Sequence, residues 1–204
     1  MGWKKYRNRA ILAVLIAAVL AVAFWYGGNA PDSRGWGVPD GSSAPSAPSG
    51  HPLPVEPESM SIGSAEFTCS LSVSCATILD NMQLLNTEKR ELVPVGGWVL
   101  QAVAVPFREG ESVFQALQRT LYGRGIHLEF KNTPLYNAAY IEGIHNLYEF
   151  DVGELSGWVY RVNGWFPNYG CSRYQLRDGD VVEFLYTCDL GVDVGGGFVA
   201  EEQQ

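Results

Sequence analysis

Basic side chains are scarce in this chain. Lys and Arg number 14 against 22 Asp and Glu in 204 residues, a formal charge of −8. Nucleic-acid affinity is mostly neutralisation of phosphate by cations, so that class of partner is set aside. Histidine occurs only three times and scattered, and the four cysteines include no Cys-x-x-Cys pair, which argues against a zinc site. A nucleophile elbow and a phosphate loop are both missing, so nothing specifies a reaction. No catalytic residue is assigned, no cofactor is required and the chain is not expected to be an enzyme. The length leaves room for one ordinary domain plus extra segments.

The few cations are unevenly placed. Lys4, Lys5, Arg7 and Arg9 precede the first acid, Asp32, and from Ala10 to Tyr26 run 17 uncharged, almost wholly apolar residues. As a helix that run spans roughly 25 Å, slightly short of a hydrocarbon core of about 30 Å, and Gly27 and Gly28 nearly complete it. The basic flank sets the amino end in the cytoplasm, and Trp25 and Tyr26 suit the outer interface. Residues 1–28 therefore read as a single-pass signal-anchor. Ala21-Val22-Ala23 leaves a cleaved signal peptide and a secreted product as the alternative. Both put the remainder outside the cell. Residues 29–65 shift to Pro, Gly and Ser, as in Gly41-Ser-Ser-Ala-Pro-Ser-Ala-Pro-Ser-Gly50, and read as a disordered spacer in which His51 is simply solvated.

The folded part is expected over residues 66–194, followed by a flexible tail, 195–204. Phe67, Cys69, Leu71, Val73 and Cys75 alternate as in a half-buried strand. Ile78, Leu79, Met82 and Leu85 follow helical spacing, and a second extended run begins at Trp98. Ser112-Val-Phe-Gln115 has the form of a capping box opening a helix with Phe114, Leu117 and Leu121 on one face, which Gly123 and Gly125 stop. A short strand is expected at Ile126 to Phe130, and a loop or irregular edge from Tyr140 to Phe150. Asn163-Gly164 suits a two-residue type I′ turn. The hairpin it implies puts Trp158, Tyr160, Trp165 and Tyr169 on one face, with Val159, Arg161, Phe166 and Asn168 on the other. Pro167 cannot donate to the ladder, so pairing should fray there. Arg177-Asp-Gly-Asp180 turns into a last strand from Val181 to Thr187.

Several of these runs, in order, resemble one known family. Glu109-Gly-Glu-Ser-Val-Phe114, Tyr140-Ile-Glu-Gly143, Leu147-Tyr-Glu-Phe150, Ser156-Gly-Trp-Val-Tyr-Arg-Val-Asn-Gly164, Phe166-Pro-Asn-Tyr-Gly170 and Leu176-Arg-Asp-Gly-Asp180 look like the transcobalamin-like C-terminal domain, over about residues 66–194. The resemblance implies an α+β, β-grasp-like (ubiquitin-like) mixed sheet curled around a helix. In cobalamin carriers the similar domain closes over one face of the corrinoid. No large helical domain accompanies it within these residues, so a lone copy is expected to bind weakly.

Four cysteines in an exported chain favour disulfides. Cys69 and Cys75 lie six residues apart on one strand, about 20 Å, and cannot pair with each other. The implied β-grasp sheet sets its first and last strands side by side, which would bring Cys75 to Cys188 and Cys69 to Cys171. Glu142 with His145 reads as ordinary surface polarity, and Asp178 with Asp180 as turn residues lacking the further ligands of a calcium site. Between Tyr136 and Tyr174 there are 10 aromatics in 39 residues. They read either as core or as a binding wall made of Tyr148, Trp158, Tyr160, Arg161, Asn163, Trp165, Phe166, Asn168 and Tyr169. Two functions fit that wall: a membrane-tethered extracellular module for a small planar ligand such as a corrinoid, or a cell-surface interaction domain for a protein or cell-wall polymer. Topology is checked by protease added to intact cells, which should leave only an amino-terminal membrane fragment. Protection of residues 66–194 would refute export.

Overall fold

The computed structural model describes residues 51–196; the expected signal-anchor, the expected spacer up to residue 50 and the end of the expected tail lie outside them. Among the described residues no helix is long and apolar enough to cross a membrane. Seven strands and one α-helix follow, among the described residues, in the order β1 (Glu66–Ser74), β2 (Trp98–Arg108), α1 (Val113–Gly123), β3 (Leu128–Thr133), β4 (Ala138–Ile144), β5 (Leu147–Tyr148), β6 (Gly157–Val162) and β7 (Val181–Thr187). They form a mixed α+β fold with a four-stranded sheet, β2-β1-β7-β6, and a three-stranded one, β3-β4-β5. At the centre of the larger sheet β1 and β7 run parallel, Leu71 beside Val182 and Val73 beside Phe184. Alternation puts these four side chains on the inward face, where Phe107, Leu117, Leu121 and Ile144 join them in one buried cluster. Cys75, Ile78, Leu85, Leu147, Val152 and Tyr186 form a second, smaller one.

The helix starts where the capping box places it. Ser112 Oγ accepts from Gln115 N at 3.3 Å and Gln115 Oε1 accepts from Ser112 N at 2.8 Å, so each residue's side chain satisfies the other's orphan amide. Gly125, at φ +67°, turns the chain out of the helix.

Three expectations change in three dimensions. The helical spacing from Ile78 to Leu85 yields a 3₁₀ turn, Ala76–Asn81, because Thr77 Oγ1 donates to Tyr186 O at 2.5 Å and ties the chain to the end of β7. The stretch from Tyr140 to Phe150 is no irregular edge: β4 and β5 form a hairpin around His145 and Asn146, both at positive φ, 56° and 60°. The Asn163-Gly164 turn does form, at φ 52° and 78°, with Val162 and Trp165 exchanging backbone hydrogen bonds of 2.8 and 3.0 Å. No strand follows it. Pairing ends at the single Val162–Trp165 bridge, two residues before Pro167 and its missing N–H. Strand β6 pairs instead with β7, Trp158 opposite Tyr186 and Tyr160 opposite Phe184.

The sheet begins at Glu66, yet the chain before it is already packed. Gly63 N donates to Glu109 O at 2.8 Å, and a Cβ on Gly110 would lie 2.1 Å from Ser61 O. His51, expected to be solvated, is exposed but stacks on Trp165 with ring centroids 4.3 Å apart. Residues 51–65 therefore form a strap.

The structure forms no bridge among Cys69, Cys75, Cys171 and Cys188 and so gives the expected Cys75–Cys188 and Cys69–Cys171 pairs no support. Cys69 and Cys171 do share the larger cluster, and Cys188 packs against the smaller one that holds Cys75, but each sulfur serves as a small apolar filler. Burial pushes the Cys69 and Cys75 thiols up to about 11 and Cys171 up to about 12, from an ordinary 9.0. Below pH 9 folded and unfolded chains hold these protons alike. Above it the unfolded chain releases protons that the folded chain keeps, so stability falls as pH rises. Melting in reductant should drop steadily from pH 9 to 11, and Cys188 should alkylate before the other three. A linked peptide in non-reducing mapping would contradict this.

Candidate functional site

The side chains expected to form one aromatic wall are divided among three environments. Trp158 and Tyr160 belong to packing. Trp158 Nε1 donates to Leu147 O at 2.8 Å, its ring meets Tyr186 edge-on at 5.2 Å, and it touches both clusters. Tyr160 donates to Tyr169 O at 2.8 Å and stacks on Phe184; burial raises its phenol far above the usual range. Trp165 and Tyr169 also pack against the larger cluster, but their outer surfaces carry the strap: His51 lies on Trp165, and Tyr169 donates to Pro52 O at 2.8 Å.

On the opposite face of β6, Arg161 holds Glu183 through two hydrogen bonds of 2.6 and 2.8 Å and lies over Phe166 at 5.8 Å. Phe166 in turn abuts Gly196. Asn163 serves its turn, donating to Asp180 Oδ1 at 2.8 Å and accepting from Val181 N at 2.9 Å. Asn168 is exposed. Asp180 also accepts from Arg177 N, closing its own turn, and Asp178 accepts from Thr68 N, holding the start of β7 to β1.

Tyr148 lies on the other sheet. Its ring covers Gly143, where a Cβ would come within 2.8 Å of it, and its hydroxyl donates to Glu129 Oε2 at 2.6 Å. That bond, with some burial, pushes the phenol up to about 12. His127 Nε2 stands 3.4 Å from the same hydroxyl, and Lys89 Nζ lies 4.8 Å over the ring while pairing with Asp151. Glu142 is engaged by Lys131 at 2.6 Å, and His145 sits in the β4–β5 turn. Among the described residues no group of three His, Cys, Asp or Glu is placed to hold a metal ion.

A concave site lies elsewhere. A cleft of about 560 Å³ opens between the strap, the start of α1 and the turn joining β3 to β4. Met60 and Ile62 of the strap, Phe114 of the helix and Pro134 of the turn supply apolar surface. Gln115, Asn132 and Asn137 supply amides, and Glu58 is the one charged residue in the lining. Asn137, at φ 45°, shapes the turn and donates to Glu56 and Glu58. Ser172, buried at the cleft's base, accepts from Ala139 N at 2.9 Å and keeps its own hydroxyl proton to offer. The site is not legible in the sequence because its walls, from the strap, the start of α1 and the β3–β4 turn, are far apart along the chain. The available signals were Pro57, Met60 and Ile62, apolar residues at the end of a polar stretch.

Because Trp158 bridges both clusters, Trp158→Ala should destabilise the domain by about 3–5 kcal/mol. Trp158→Phe, losing mainly one hydrogen bond, should cost about 1 kcal/mol. Chemical denaturation measures both, and equal, small losses would place Trp158 outside the core.

A family model described as a domain of unknown function (DUF4430) matches residues 110–187, from the turn before α1 to the end of β7. Haptocorrin, solved in complex with Cbi, is similar at 13% identity and a TM-score of 0.46, covering 62% of this chain and 26% of its own. A protein from Ruminococcus gnavus, provisionally described as metal-binding, is similar at 12% identity and a TM-score of 0.36, covering 59% of this chain and 96% of its own. The chain thus spans about a quarter of haptocorrin. No curated protein matches it.

Proposed function

We propose that residues 51–196 form a β-grasp-like ligand-binding module, not an enzyme, carried outside the cell on the amino-terminal anchor, and that the cleft beside α1 is its site. The carrying observation is the cleft itself, about 560 Å³, within the usual 300–1,000 Å³ of small-molecule sites. Its lining supports a largely neutral ligand with an apolar body and hydrogen-bonding edges. Phe114, Met60 and Ile62 take the body; Gln115, Asn132, Ser172 and the amide of Asn137 take the edges. A corrinoid, flat and apolar with carboxamides around its rim, is the first such ligand to test, as the resemblance to the transcobalamin-like domain also suggests. An open cleft removes water from one face only, so affinity is expected roughly in the micromolar to millimolar range.

Equilibrium dialysis with a corrinoid, read by its visible absorbance, tests this. Ile62→Ala and Phe114→Ala should each weaken binding about tenfold, equivalent to about 1.4 kcal/mol, while Asn168→Ala leaves it unchanged. Weakening by Phe166→Ala and Asn168→Ala instead would move the site to the hairpin. Absence of binding up to millimolar corrinoid would remove that ligand class.

A further inference from the structure

Residues 51–56, His-Pro-Leu-Pro-Val-Glu, carry proline at alternate positions. Proline fixes its own φ near −65° and biases the preceding residue to extended backbone. The segment is thereby preset to polyproline II geometry, whose carbonyls and amides are unpaired and available to a reader. Glu56, at φ −66° and ψ 131°, continues that conformation into the short 3₁₀ turn Pro57–Ser59.

Residues 165–177 read this backbone through four contacts of different kinds. The His51 ring lies flat on Trp165, 10° from parallel at 4.3 Å. Tyr169 Oη donates to Pro52 O at 2.8 Å. Val55 N donates to Arg173 O at 2.9 Å. The Arg173 guanidinium pairs with the Glu56 carboxylate. Leu53 is 58% exposed and adds little. An aromatic face, a tyrosine hydroxyl on a prolyl carbonyl and a cation for a flanking acid together make the recognition chemistry used for extended proline-rich peptides. The reading surface is backed by the core, because Trp165 meets Tyr169 edge-on at 6.0 Å, Tyr169 stacks on Tyr174 at 6.3 Å and Tyr174 is buried.

We propose that Trp165, Tyr169 and Arg173 form a docking groove for a proline-rich segment of another polypeptide, of the pattern aromatic-Pro-x-Pro-x-acid, and that residues 51–56 occupy this groove in cis. Charge complementarity selects the acid: Arg173 meets Glu56, and its Nε is buried without a partner. The cis segment ends ten positions before β1 begins at Glu66, and this short tether lets it compete at an effective concentration in the millimolar range. An incoming segment gains access when the tether is loosened or when it offers further contacts. The groove is separate from the cleft, whose lining begins at Pro57.

The test uses the full chain and a synthetic peptide of residues 50–58. Pro52→Gly/Pro54→Gly relaxes the cis segment and leaves the groove intact. Calorimetry should show that this variant binds the peptide at least about tenfold tighter than the wild type does. Tyr169→Phe added to it should weaken binding severalfold, as should a peptide carrying Glu56→Gln, and a scrambled peptide should not bind. If the double variant folds poorly, His51→Ala serves as host, since it removes only the stacked ring. A folded variant that ignores the peptide up to millimolar concentration would show the strap to be a fixed part of the domain and overturn the proposal. So would a wild-type dimer that Tyr169→Phe dissolves, because the occupant would then be a second copy of this chain.

Discussion

Parallel pairing of β1 with β7 sets the first and last strands of the domain side by side, and a parallel pair cannot be closed by a tight turn. Everything between residues 75 and 180 is therefore crossover that must return to the same sheet. Leu71, Val73, Val182 and Phe184 make the return favourable by burying a continuous apolar strip at the sheet centre. Polar groups then fix its register: Asp178 takes Thr68 N, Asp180 holds both its own turn and Asn163, and Ser70 N donates to Asp180 O. Helix α1 fits beneath because its Leu117 and Leu121 meet that strip one turn apart.

The aromatic side chains show how one composition serves several ends. Tyr160 and Tyr186 are largely buried, and each hydroxyl finds a backbone carbonyl, of Tyr169 and Tyr148 respectively. This satisfies the rule that a buried phenol needs a partner. Tyr148 instead shields Gly143, and the absent Cβ there is what lets the ring lie down on β4. Trp165 and Tyr169 have one side in the core and the other under the strap, so the same rings link the domain's interior to a surface that reads peptide backbone.

The strap carries the functional architecture on both of its halves. Its first half lies in the Trp165–Arg173 groove, and its second half, with Met60 and Ile62, walls the cleft beside α1. Glu56 joins the two by pairing with Arg173 while accepting from Asn137 of the β3–β4 turn.

By itself the sequence determined the local features whose cause is local. Capping by Ser112 and Gln115, the Asn163-Gly164 turn, the alternation of β1 and the bounds of β7 each depend on residues within a few positions of one another. Tertiary structure alone decided what depends on distant partners. The periodicity from Ile78 to Leu85 became a 3₁₀ turn because Tyr186, more than a hundred residues on, claims Thr77. The arm after Gly164 pairs with the edge strand β6 only at Trp165 and leaves it two residues before Pro167, which has no N–H for a ladder. A proline-rich stretch became a strap because Trp165, Tyr169 and Arg173 converge to hold it. Local pattern measures the preference of a segment, whereas the cleft and the groove arise between segments, where only the folded chain brings their walls together.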